Sequence, residues 1–209
     1  AYTAKQLGGF LVRFQEPVDR PQTTEHDLHT GNVDLEGMRE KWKRIFPKAG
    51  PFAPTVHIFN DLLVRLLKAV RYDEFFACYA EMRRSNVAPN LSTFTYLIKA
   101  RLYLGQPDQA HALLTEMRQF GLVGTHFHFG LVFHAYCRLG MTSEAETLLD
   151  EMTRVHHQPP NHIFYASLLY AHCRRFEYSA VFRTFERMER SGLKPDTETA
   201  NYVLLSLFD

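Results

Sequence analysis

Three basic residues, Lys68, Arg138 and Arg174, return at one place in a periodic chain, 70 and then 36 residues apart. Cations repeated at one place on successive helices share a face, and such a row is what a phosphate backbone would meet. Solvated surface charge is the other reading of each. A second set, Thr55, Asn90, Thr125, Asn161 and Asp196, stands just ahead of successive apolar helical patterns. Each can accept from the free N–H groups of a helix start, and each can also offer its polar atoms to a ligand. The 11 histidines raise metal chemistry. His126, His128 and His134 form one group and His156, His157 and His162 another, but no Cys/His spacing supplies the four or so converging ligands of a zinc site. His57, His134 and His156 read instead as neutral polar groups or ring-stacking partners. Cys78, Cys137 and Cys173 make no CxxC and no disulfide framework, and the last two, at one place in successive repeats, read as small core hydrophobes. A phosphate loop, a nucleophile elbow, a deaminase HxE with PCxxC and a metal–carboxylate cluster are all missing. The chain therefore reads as a non-enzyme that needs no cofactor.

The elements that must position these residues repeat. Met82, Met117, Met152 and Met188 are spaced 35, 35 and 36, while Pro89, Gly124, Pro160 and Pro195 are spaced 35, 36 and 35. One extra residue thus lies between Met152 and Pro160. A fixed period in this range means stacked supersecondary units. The repeats run over 56–90, 91–125, 126–161 and 162–196, with a partial fifth over 197–209. In the first half of each, apolar residues fall at helical spacing: Phe59, Leu62, Leu63 and Leu66, then Phe94, Leu97 and Ile98, then Phe129, Val132, Phe133 and Tyr136, then Tyr165, Leu168 and Leu169. Val70, Gly105, Gly140 and Phe176 mark a break, and glycine closes a helix in a left-handed conformation without steric cost. Asp73, Asp108, Ser143 and Ser179 then read as starts of a second helix, with Pro107 at a position where a missing N–H costs nothing. That helix carries Phe75, Phe76, Tyr79 and Met82, then Ala110, Leu113, Leu114 and Met117, then Ala145, Leu148, Leu149 and Met152, then Val181, Phe185 and Met188. One antiparallel helix pair has too little core to stand alone, so neighbours must stack.

The segments Val56-His-Ile-Phe59-Asn60-Asp-Leu62-Leu63, Glu81-Met82, Ala88-Pro89-Asn90, Ala135-Tyr136-Cys137-Arg-Leu-Gly140 and Ser191-Gly-Leu-Lys-Pro195-Asp196 together resemble the pentatricopeptide repeat (PPR) family, over about three quarters of the chain. The resemblance implies an all-α fold, a right-handed α-solenoid of two-helix 35-residue repeats with the first helices lining a concave face. It also implies single-stranded RNA in that groove, about one base per repeat. In the family, the fifth and last residues of a repeat read the base edge, the second packs on the base and a basic residue late in the first helix meets the phosphate. Carried over, the reading pairs are Asn60 with Asn90, Thr95 with Thr125, Gly130 with Asn161 and Ala166 with Asp196, and Asn201 opens a fifth. The packing residues are His57, Ser92, Phe127 and Ile163. The phosphate contacts are Lys68, Arg138 and Arg174, with Tyr103 at that place in the second repeat. Gly130 and Ala166 depart from the pattern, because neither has a side chain that can donate or accept.

The formal net charge is +1, from 24 basic and 23 acidic residues, and from Val56 onward there are 16 of each. A chain gripping RNA mainly by electrostatics would be more basic. Few repeats, two blank readers and near-neutral charge point to a non-enzymatic RNA-binding subunit or assembly factor of an organellar ribonucleoprotein, the mitochondrial ribosome foremost, held by RNA and by neighbouring proteins. The alternatives are a stand-alone transcript factor in RNA stability or processing and a protein-binding helical scaffold. The family's usual compartments make the mitochondrial matrix the expected location and the chloroplast the second. The chain begins at Ala1 rather than Met, which predicts a removed targeting segment or a start lying upstream. Residues 1–33 read as an arm in which Leu7, Phe10, Leu11 and Phe14 have helical spacing. Residues 34–55 read as a degenerate capping helix, with Leu35, Met38, Trp42 and Ile45 as its stripe and Pro47 as its stop, followed by a turn. The helix after Asn201 is apolar enough either to be buried all round or to dock on a neighbour.

Overall fold

The computed structural model describes residues 55–208. The expected arm and the capping helix lie outside the described residues. Among the described residues there are nine α-helices and no strand: α1 Val56–Lys68, α2 Tyr72–Arg84, α3 Leu91–Tyr103, α4 Pro107–Gln119, α5 His126–Leu139, α6 Thr142–Arg154, α7 His162–Arg174, α8 Tyr178–Arg190 and α9 Thr197–Phe208. By its contacts the chain divides into two compact parts, one up to Ala100 and one from Arg101 on.

The turn inside each repeat is a single device used four times. Val70, Gly105, Gly140 and Phe176 all have positive φ, at 61°, 69°, 71° and 58°. Each donates its N–H to the carbonyl three residues back. The next residue donates to the carbonyl five back, as in Val70 N to Leu67 O at 3.3 Å and Arg71 N to Leu66 O at 3.0 Å. This Schellman closure satisfies two orphan carbonyls and aims the chain straight into the second helix. It also corrects one expectation. Arg71, Gln106, Met141 and Glu177 occupy the N-cap positions and make no side-chain cap. Asp73, Asp108, Ser143 and Ser179 are the second residues of their helices, where an acid favours the helix dipole rather than capping a free N–H. Pro107 is the first helical residue.

A β-branched residue at positive φ is strained by about 1–2 kcal/mol. Val70 is 53% exposed, so its side chain has little burial to lose. Val70→Gly is therefore expected to stabilise the chain by about 0.5–1 kcal/mol, after subtracting glycine's greater unfolded-state freedom. Urea denaturation should show a later midpoint, and an earlier one would mean that valine contacts outweigh the strain.

The extra residue of the third repeat can be placed. After α2, α4 and α8 the positive-φ residue is Asn86, Gly121 or Gly192, four residues past the methionine. After α6 it is His157, five past Met152. The closing bond correspondingly runs from Gln158 N to Met152 O at 2.8 Å, one residue wider than Val87 N to Met82 O. His156 N bonds Glu151 O, a five-residue step, so the insertion widens the last helical turn.

In the first part α1 packs on α2. Phe59, Leu63 and Leu67 are buried on α1, and Phe75, Cys78 and Met82 on α2. The stripe is rotated from the expected one: Leu62, Leu66, Phe76 and Tyr79 are only partly covered. In the second part the first helices pack in a row, α5 on α7 and α7 on α9. The second helices pack against them, α4 on α5, α6 on α5 and α7, and α8 on α7 and α9. Phe129, Val132, Phe133, Leu148, Leu149, Leu169, Val181 and Met188 are fully buried there, each large side chain contributing about 1.5–3 kcal/mol. Phe185 is partly covered, and Thr184 takes the buried place beside Val181. Cys137 is buried as expected, while Cys173 is only partly covered and donates to Tyr202 O at 3.4 Å.

Polar joints tie successive repeats. Tyr136 donates to Asp108 at 3.1 Å and meets His111 Nδ1 at 3.2 Å, while His111 Nε2 meets Glu151 at 2.8 Å. One repeat later, at the same place as Tyr136, the buried His172 lies between Glu177 at 2.7 Å and Glu146 at 3.2 Å. Burial raises the pKa of Glu177, but hydrogen bonds from Arg175 and His172 outweigh it and leave the carboxyl below its ordinary value.

The last helix does not bury all round. Leu204 is 50% exposed, whereas its counterparts Leu63, Ile98, Phe133 and Leu169 are at 0%. In the earlier repeats a second helix covers that place, and among the described residues none follows α9. Thr199 and Ser206 take its buried side.

Candidate nucleic-acid interface

The second, fifth, ninth and thirteenth places of a first helix are spaced three, four and four, so they form one stripe. On α1 the stripe is His57, Asn60, Val64 and Lys68. On α3 it is Ser92, Thr95, Lys99 and Tyr103. On α5 it is Phe127, Gly130, His134 and Arg138, and on α7 it is Ile163, Ala166, Tyr170 and Arg174.

Asn60 and Asn90 meet. Asn60 Nδ2 donates to Asn90 Oδ1 at 3.0 Å, and Thr93 Oγ1 donates to Asn60 Oδ1 at 2.7 Å. Thr93 N–H also donates to Asn90 Oδ1 at 3.1 Å, while Asn90 N–H donates to Thr93 Oγ1 at 3.1 Å. That reciprocal pair is a capping box at the start of α3. Because a backbone N–H needs an acceptor, it fixes the Asn90 amide orientation, which in turn fixes that of Asn60. Both amide oxygens are thus engaged. One N–H of Asn60, two of Asn90 and one lone pair on Asn60 Oδ1 remain, so the pair presents mainly donors.

The other last residues cap as well. Asp196 Oδ1 accepts from Thr199 N–H at 2.8 Å and Asp196 N–H donates to Thr199 Oγ1 at 2.9 Å, repeating the box. These bonds hold the Asp196 carboxyl below its ordinary pKa. At the fifth place of the same repeat Ala166 has no side-chain polar atom to add. Asn161 Oδ1 accepts from Ile163 N–H at 3.0 Å. Thr125 bonds His128 Nδ1 through its N–H at 3.2 Å and its hydroxyl at 2.9 Å. Thr55 makes no side-chain cap, which corrects the expectation that all five would. Thr95 bonds its own helix at Leu91 O. Gly130 is buried, so the third repeat offers no side chain at its fifth place and no open surface there. Asn201 is exposed on α9.

Lys68, Arg138 and Arg174 are exposed and lie in the last turns of α1, α5 and α7. Arg138 and Arg174 stand on first helices that pack side by side. The Arg174 guanidinium lies 5.8 Å from the Tyr170 ring centre. Burial lowers the pKa of Arg138 and of Lys99. Lys99 and Tyr170, at the ninth place, are residues that sequence reasoning missed; the signal was their spacing of four from the thirteenth. His57 is exposed, Ser92 exposed, and Phe127 and Ile163 partly covered. The histidines do not gather, and among the described residues no group of three or more His, Cys, Asp or Glu could hold a metal ion. His134 stacks on Phe164 at 6.3 Å and 16°, and His156 packs edge-on to Phe129 at 4.6 Å. Burial lowers the pKa of both, that of His134 to about 4.

Family profiles match three stretches: "PPR repeat family" over 54–102, "PPR repeat" over 127–156 and "Pentatricopeptide repeat domain" over 147–208. The chain belongs to the pentatricopeptide repeat family. No curated protein sequence matches it. Among solved structures, PPR10 from maize is similar at 22% identity with a TM-score of 0.69, covering 82% of this chain and 24% of that one. PPR10 bound to an 18-nt psaJ RNA element matches at 26% identity and a TM-score of 0.57, over 84% of this chain and 25% of that one. The PPR domain of Arabidopsis thaliana protein-only RNase P 1, in complex with tRNA, matches at 19% identity and 0.64, over 84% and 90%. The chain therefore spans about a quarter of the length of PPR10. The fold class is that of these PPR proteins, an α-solenoid of two-helix repeats. Among the described residues no helix is long and apolar enough to cross a membrane.

Proposed function

We propose that this PPR chain binds single-stranded RNA without processing it. The observation that carries this reading is the Asn60–Asn90–Thr93 network. Its internal bonds use both amide oxygens and leave three N–H donors, a preorganised edge for base acceptors such as pyrimidine carbonyls. Lys68 in the first part, and Arg138 and Arg174 on adjacent first helices of the second, would take the phosphates. Among the described residues no group of three or more His, Cys, Asp or Glu could hold a metal ion for chemistry on the bound strand, and the likeness to the RNase P protein is to its PPR domain.

The finer reading is a subunit or assembly factor of a ribonucleoprotein in the mitochondrial matrix, such as the mitochondrial ribosome, with the chloroplast as the second compartment. It is supported by equal numbers of acidic and basic residues from Val56 onward and by Gly130 and Ala166, whose side chains cannot read a base edge, which suit a part held jointly by RNA and neighbouring proteins. Gradient sedimentation of organelle lysate, with and without ribonuclease, tests it. Co-migration with a large particle that shifts on digestion is expected. A small species in both gradients would sink the particle reading.

A further inference from the structure

Tyr170 is a large aromatic side chain on the α7 stripe, one turn beyond Ala166 and one turn before Arg174, and it is 48% exposed. Its ring centre lies 5.8 Å from that of Tyr202 on α9, with the planes tilted by 52°, so neither ring covers the other as a stack would. The two rings border a cavity of about 240 Å³ lined also by Cys173, Arg174, Tyr178 and Leu205. That is below the roughly 300–1,000 Å³ of sites that enclose a whole small ligand, and it suits one ring of a longer one. The wall has no reactive group. The Cys173 thiol donates to Tyr202 O, and the Tyr202 hydroxyl donates to Glu198 at 3.0 Å. Burial raises the Cys173 pKa, and burial with the Glu198 bond pushes the Tyr202 phenol up to about 12, so both stay neutral. The one cation on the wall is Arg174, whose guanidinium lies 5.8 Å from the Tyr170 ring centre.

We propose that this cavity is a base-stacking subsite: a nucleobase of bound single-stranded RNA lies on Tyr170, and Arg174 meets the adjoining phosphate. The inference rests on the RNA reading and adds to it a hold that ignores base identity. Every base has a π-face, so aromatic stacking is tolerant of sequence. It also gives the fourth repeat a function despite Ala166, whose methyl cannot read an edge.

The test uses the full chain and fluorescein-labelled oligoribonucleotides of about ten nucleotides, poly(U), poly(C) and poly(A), followed by anisotropy across a salt series. Tyr170→Leu is expected to weaken binding to all three by a similar factor, about five- to hundred-fold, with the slope of affinity against salt unchanged. Tyr170→Phe should bind like the parent. Arg174→Gln should lower the slope by about 0.7. Asn60→Ala should instead change the preference among the three. Circular dichroism checks that each variant keeps the helical fold. If the parent binds RNA and Tyr170→Leu binds within twofold of it, the subsite is refuted and the RNA reading stands. If the parent binds none of the oligonucleotides, both fall.

Discussion

Changing Lys68, Arg138 and Arg174 together to Gln is expected to lower affinity for a single-stranded oligoribonucleotide about a hundred-fold at about 0.1 M salt, without favouring any base. Each phosphate contact on a single strand contributes about 0.7 to the slope of log K against log salt, so three contribute about 2, or about two decades of affinity at tenth-molar salt. The side chains are exposed, and burial lowers the Arg138 pKa only from a value far above neutrality. All three sit in the last turn of a helix, where a cation stabilises the dipole by about 0.3–1 kcal/mol. Their loss therefore costs some stability but stays well short of unfolding the chain. Anisotropy at several salt concentrations reads the slope directly. A triple variant with the parent slope would show that these are solvated helix-end charges and would remove the phosphate row from the site.

Acid sensitivity is the second large effect, and it comes from His134. Its ring stacks on Phe164 and lies edge-on to Phe133 at 6.0 Å. Burial pushes its pKa down to about 4, whereas an unfolded imidazole titrates near about 6.5. Between those values the unfolded chain takes up a proton that the folded chain refuses. Stability is thus fully present above about pH 6.5 and falls as the pH drops toward 4, by about 2–4 kcal/mol for this residue. His156, lowered by burial and by Arg118, adds in the same direction. Glu177 and Asp196, whose carboxyls are lowered, lose their contributions as pH falls through the ordinary carboxylate values near about 4 and below, which meets only the acid end of the His134 window. His134→Phe keeps an aromatic ring of similar size and removes the titration. Urea midpoints at pH 7, 5.5 and 4.5 should fall steeply for the parent and much less for the variant. Parallel declines would mean that His134 takes up its proton in the folded state.

The repeat was legible because its signals are local and multiplied. The methionine spacing, the apolar stripes and the breaks at Val70, Gly105, Gly140 and Phe176 each recur four times, and all four breaks have positive φ. The second-helix starts were misplaced by two residues because the Schellman closure, a backbone arrangement, leads into the helix without a capping side chain. The buried face of α1 keeps Phe59 and Leu63 but turns from Leu66 to Leu67, since these are adjacent leucines and only packing chooses between them. At the site, the sequence named Asn60 and Asn90, but not the Thr93 hydroxyl that joins them and turns both amides into donors.

What the sequence determined by itself was the unit: a helix pair of fixed length, the polar residue at its end, the basic residue late in its first helix, and hence the PPR family. Those are matters of spacing, which a linear chain carries. What only the tertiary structure decided was which of these residues have atoms left to offer. Asn90 caps α3 and still presents donors, Gly130 is covered, and Tyr170 stands half-exposed beside Tyr202. Such outcomes depend on neighbours 30 or more residues away, brought close by stacking, and no local pattern encodes how a side chain's hydrogen bonds are shared once they arrive.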